Sequence, residues 1–165
     1  MRTAHLIAAL SIIVPLAAST AQGAPLDAAG MEVLYDTPPW AVYRNPEGPV
    51  CDARVLTADR LFELSAIKDG AILNIPGKEW NFTSHVAMVN VVAGEGSGFG
   101  MTALYKGFSV TSASNAKALY LQMGMLGSNV TTLNIKDDKL KLLASFPATG
   151  MEEVLEVWKA CADKL

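Results

Sequence analysis

The sequence predicts an α+β domain that is mainly β, an antiparallel sandwich or partly closed barrel with one middle helix and a disulfide-tethered C-terminal helix. Three observations carry that prediction. Short apolar runs recur between Met31 and Ala144, bounded by Pro, Gly, Asn or Asp, as strands and turns are spaced. Two later stretches change their apolar period from two to about 3.6. Cys51 falls in a strand-like run and Cys161 on the last helical stretch, and they are the only 2 cysteines in 165 residues.

Ahead of the domain, residues 1–23 read as a cleaved export signal. Arg2 gives a positive start, Leu6 to Ala18 are almost wholly apolar, and Ser19, Thr20, Ala21 and Gly23 are small, the order that a signal peptidase recognises. The apolar run is about 13 residues against the roughly 20 that span a bilayer, which favours removal, after Ala21 or Gly23, over anchoring. Residues 24–30, rich in Ala, Gly, Pro and Asp, form a flexible lead-in, and a single β-rich domain fills 31–165.

Strands are predicted at Met31 to Tyr35, Trp40 to Tyr43, Val50 to Leu56, Leu61 to Ile67 and Ala71 to Ile75, parted by Pro38-Pro39, residues 45–49 and Asp69-Gly70. Asp-Gly between apolar runs signals a hairpin, because glycine accepts the positive φ of a primed turn. His85 to Ala93 carries Val, Met or Ala on both faces and is expected to be a central strand covered on both sides. Gly94, Gly96, Gly98 and Gly100 mark a flexible hairpin tip, and Phe99, Met101, Ala103 and Tyr105 then alternate onto one side. Val130 to Ile135 and Leu140 to Ala144 flank Lys136-Asp137-Asp138-Lys139 as a further hairpin.

The middle helix is read from Leu119, Met123 and Leu126, with Ser114 capping its start and Gly127 its end. In the last helix, Thr149 followed by Glu152 fits a capping box. Val154, Leu155, Trp158, Cys161, Ala162 and Leu165 share one face, and Glu153, Glu156, Lys159 and Asp163 favour the other. Cys161 thus lies on the buried stripe. Two cysteines in an exported chain pair as one disulfide, which ties this helix to the strand of Cys51.

Composition narrows the function classes. The chain has 13 basic and 16 acidic residues, and loss of Arg2 with the leader takes the net charge from −3 to −4. The lysines are scattered, which gives no support to nucleic-acid or anionic-membrane binding. Beyond the leader the longest apolar run, Val86 to Ala93, is too short for a membrane span and is broken by Asn90.

His85 is the one histidine left after the leader, so neither a multi-histidine zinc site nor any other metal or cofactor is expected. Its neighbour Ser84 would point to the opposite face of a strand, so the two do not form a nucleophile–base pair, and no catalytic residue is assigned. Asp52, Glu63, Asp69, Glu79, Asp137, Asp138, Glu152 and Glu153 leave paired-acid hydrolysis open, although turns and helix starts account for most of them. The glycine run has neither P-loop nor dinucleotide spacing. Trp40, Trp80 and Trp158 are large core anchors. Trp80, set among Lys78, Glu79 and Asn81, also suits a binding surface, and Glu95 with Phe99 at the glycine tip are the other binding candidates.

The order Trp40-Ala41-Val42, Cys51, paired strands, Leu119 to Ile135 and Trp158-Lys159-Ala160-Cys161 resembles small exported proteins of α-proteobacteria, the invasion-associated locus B family in particular. The late strand hairpin and the stretch Ala148 to Trp158 add to the likeness. The resemblance implies a β-rich periplasmic or surface-associated protein linked to the envelope or to host interaction, and it brings no catalytic residues. The expected function is an exported non-enzymatic binding or interaction module of the bacterial envelope, an inhibitor or accessory subunit whose partner is another envelope or secreted protein. The alternatives are a small periplasmic hydrolase using acidic residues and a small-molecule carrier with an apolar pocket between sheet and helix.

Overall fold

The computed structural model describes residues 29–57, 60–76, 80, 82, 85–105 and 109–165. Residues 1–23, read above as a leader, and residues 24–28 of the expected lead-in lie outside the described residues, as do Lys78, Glu79, Asn81, Thr83 and Ser84.

Alternating apolar and polar residues build an antiparallel meander of β1 (Glu32–Thr37), β2 (Trp40–Arg44), β3 (Val50–Leu56), β4 (Leu61–Ile67) and β5 (Gly70–Pro76). Every second residue is buried in one core: Trp40 and Val42, then Cys51, Ala53 and Val55, then Phe62, Leu64 and Ala66, then Ala71, Leu73 and Ile75. The period of two therefore decides the inner face.

Next come β6 (Val86–Ala93), β7 (Gly98–Tyr105), β8 (Ser109–Ser114), β9 (Thr132–Lys136) and β10 (Leu142–Pro147). The sheet order is β1-β2-β3-β4-β5-β8-β7-β6-β9-β10, with all neighbours antiparallel. Pairing of β8 with β5 runs the full length from Ala71↔Ser114 to Pro76↔Ser109. Between β7 and β8, among the described residues, it is limited to Leu104↔Thr111 and Tyr105↔Val110. This short junction is a corner, at which the sheet folds into two antiparallel layers facing each other across the core.

Side chains confirm that the layers meet. Phe62 on β4 lies against Phe146 on β10 with ring centroids 5.6 Å apart, and Trp40 meets Phe62 edge-on at 6.1 Å. The ends β1 and β10 do not pair with each other, so no closed barrel forms.

Helix α1 (Ala116–Gly124) follows β8, and α2 (Met151–Ala162) closes the chain. Met151, Val154, Leu155 and Trp158 are buried on α2, and full burial of such side chains contributes about 1.5–3 kcal/mol each. Cys161 is bonded to Cys51 with their Cα atoms 6.0 Å apart. One turn earlier, Trp158 Nε1 donates a buried 3.0 Å hydrogen bond to the carbonyl oxygen of Cys51. The helix is thus fixed to β3 by a covalent and a polar link at the same residue.

Several sequence expectations are corrected. Strand β6 is central in order, between β7 and β9, but it is covered on one face only: Val89 and Val91 are buried while Val86 and Met88 are 52% and 47% exposed. The cap of α1 is Asn115, whose Oδ1 accepts from the Ala118 amide at 2.7 Å, and not Ser114, which ends β8. At α2 the expected Thr149 box does not form; Gly150 occupies the cap position at φ 81 with no side-chain capping bond. The last hairpin starts two residues later than read, since Asp137 Oδ1 accepts from the amides of Lys139 and Lys141 at 2.9 and 2.8 Å and widens the turn.

Candidate functional site

The site grows out of α1. Ala116, Ala118, Leu119, Leu121, Gln122 and Met123 are strong helix formers, and the Asn115 cap starts them cleanly. Leu119 and Met123, four residues apart, are buried against the core. Leu121 and Met125 form a second row with the same spacing on another side of the helix, and they are 53% and 66% exposed. A surface helix ordinarily turns charged residues outward. This one turns apolar residues both ways.

The outward row forms one wall of a groove of about 400 Å³ between α1 and α2. Met151 and Leu155, one turn apart on α2, form its buried floor, and Gly124 and Gly127 keep its mouth free of side-chain bulk. Glu152 and Glu156, also four residues apart, stand exposed on the α2 rim. Tyr120 donates its hydroxyl to Glu156 Oε1 and so links the two helices across the groove. That bond, more than burial, raises the Tyr120 phenol above its ordinary value. Lys159 Nζ lies 5.8 Å from the Tyr120 ring centroid and is paired with Asp163, whose hydrogen bond raises the Lys159 ammonium. The rim thus presents two carboxylates, while the adjacent cation is matched within its own helix.

A second polar cluster lies on the outer face of the sheet. Arg54 Nη2 reaches Asp52 Oδ2 at 2.8 Å and Arg54 Nε reaches Glu63 Oε1 at 2.7 Å, with Asn74 Nδ2 donating to Glu63 Oε2 at 3.2 Å. The Arg54 guanidinium also lies 5.3 Å from the Tyr43 ring centroid. The structure therefore brings together two of the carboxylates considered for acid chemistry. Both are bridged by one guanidinium across β3 and β4, and Asn74 extends the cluster to β5, an arrangement that cross-braces strands in register.

The three binding candidates read from sequence do not line the groove. Trp80 is 3% exposed and packs edge-on to Phe82 at 6.4 Å, which puts it with the core. Glu95 is 89% exposed and pairs with Lys136 at 3.5 Å, and Phe99 packs partly buried against the core. Their glycine tip is pinned rather than flexible. Ala93 N donates to Ser97 O, Gly94 N to Thr132 O and Asn134 Nδ2 to Gly94 O, all within 2.9 Å. Gly94 has φ +52, and a Cβ on Gly98 would come within 2.8 Å of Val91 O, so two of these glycines answer to backbone geometry. His85 is exposed at the start of β6.

Sequence reading missed Leu121, Met125 and Met151. The signal was present as a second i, i+4 apolar row on α1, overlooked because the core row alone sufficed to identify the helix. Among the described residues no cluster of three or more His, Cys, Asp or Glu could hold a metal, and no helix is long and apolar enough to cross a membrane. No family model, curated protein or solved structure matches the chain.

Proposed function

We propose that this chain is an exported non-enzymatic binding module of the bacterial envelope, acting as an inhibitor or accessory subunit that holds another envelope or secreted protein. The α1–α2 groove carries the reading. Leu121 and Met125 keep apolar surface in water at a helix–helix cleft, and apolar side chains at such a cleft favour a partner that removes them from water. Methionine suits this use, because its unbranched thioether repacks around different partners. The Cys51–Cys161 bridge supports an oxidising compartment, periplasmic or extracellular, in keeping with the leader at 1–23. The resemblance to the invasion-associated locus B family adds an envelope setting. Asp52 and Glu63, engaged by Arg54, serve the sheet in this reading.

A small-molecule carrier is the second reading, favoured by one observation: about 400 Å³ lies within the range of ligand pockets. Affinity capture from envelope extracts, run beside native mass spectrometry, decides between them. Stoichiometric capture of a protein that is lost in the Leu121→Ser, Met125→Ser pair is the expected result. A bound small molecule in place of a protein favours the carrier. Turnover of a substrate, abolished by a single carboxylate substitution, overturns both.

A further inference from the structure

We propose that the α1–α2 groove recognises a cationic amphipathic helix of its partner, seating an apolar side chain against Leu121, Met125 and Leu155 and pairing a Lys or Arg one turn away with Glu152 and Glu156. This rests on the binding-module reading and specifies the chemistry of the partner. The groove repeats one spacing three times: Leu121 with Met125, Met151 with Leu155, and Glu152 with Glu156 are all i, i+4 pairs. Each pair lies along its helix about one turn apart. A surface ruled at that interval matches another helix, whose own anchors recur at three and four residues.

Charge fixes which helix. Both rim groups are carboxylates, Tyr120 holds Glu156 at the cleft, and the nearby cation, Lys159, is paired with Asp163. The whole chain carries a net −3, so its field also opposes an anionic segment. Glu152 stands exposed in the first turn of α2, where it lines the groove. The groove is therefore apolar in its floor and wall and negative at one edge. A basic amphipathic helix has the complementary pattern.

The test uses a fluorescently labelled synthetic helix of Leu and Lys, its Leu/Glu counterpart, and the full chain, with anisotropy read at low and high salt. The Leu/Lys helix is expected to bind with an affinity that falls as salt rises, and the Leu/Glu helix is expected not to bind. The pair Glu152→Gln, Glu156→Gln and the pair Leu121→Ser, Met125→Ser should each weaken binding about tenfold or more, the equivalent of about 1.4 kcal/mol. The pair Asp69→Asn, Asp138→Asn removes equal charge from exposed turns and should leave affinity unchanged. Thermal melts identify any variant that has lost its fold. Equal loss in the turn variant, binding of the Leu/Glu helix, or indifference to both groove pairs overturns the proposal. If an envelope protein is still captured stoichiometrically in that event, the binding-module reading stands and only the groove assignment falls.

Discussion

Asp52 shows how one residue couples burial to pH. Its side chain is 6% exposed, on β3 beside Arg54. Burial raises its carboxyl above the ordinary range, with the Arg54 charge pulling the other way. The folded protein therefore holds this proton more tightly than the unfolded chain does. At neutral pH the buried charge subtracts from stability; as pH falls through the raised folded value toward the unfolded value of about 4, the subtraction is released, and below that nothing changes further. Asp52→Asn carries no such titration. Urea melts between pH 8 and pH 3 should show the stability of the native protein rising relative to Asp52→Asn as pH falls, then levelling off. A relative loss on acidification would mean that the Arg54 pairing outweighs burial.

At the scale of elements, the closing helix depends on its attachment to β3. The apolar stripe of α2, including Trp158 and Cys161, was plain in the sequence because a period near 3.6 survives without knowledge of the partner surface. Its cap was not. Thr149 and Glu152 have the right identities, but Gly150 takes the left-handed cap geometry and leaves the Thr149 side chain outside it. The bridge was legible from the count of two cysteines and the export expected of the chain, and the structure supplies what spacing could not: the Trp158 bond to the Cys51 carbonyl. With the cysteines 110 positions apart, the chain-entropy account gives about 4–5 kcal/mol of stabilisation. Replacing both by Ala should lower the melting temperature by roughly 10–20 °C for a domain of this size. Differential scanning calorimetry checks this, and an unchanged melt would assign the attachment of α2 to packing and the Trp158 bond alone.

For the molecule as a whole, local pattern predicted nearly every strand but not the path between the layers. Turn chemistry pairs neighbours in sequence, as at Asp69-Gly70, whereas β8 returns to β5 across the intervening β6–β7 hairpin. The run Ser-Val-Thr-Ser-Ala-Ser of β8 has few large apolar residues and was not read as a strand. That missing strand is the corner on which the sheet folds. The groove was obscured for a related reason: α1 and α2 are adjacent only in space, so Leu121 and Glu156 share no sequence window. One contact between the two layers tests this architecture directly. Arg60, just before β4, donates from Nη1 to the Leu143 carbonyl oxygen of β10 at 2.7 Å, beside the Phe62–Phe146 contact. It joins strands that are far apart in sheet order. Arg60→Met retains the apolar stem but removes the charged donor, and a hydrogen bond of this kind contributes about 1.5–3 kcal/mol. Hydrogen exchange should then speed up in β10 and β9 while β3 to β5 keep most of their protection, because the corner and core remain. Uniform acceleration across all ten strands would show that the two layers open as one cooperative unit, with Arg60 acting on global stability rather than on the seam.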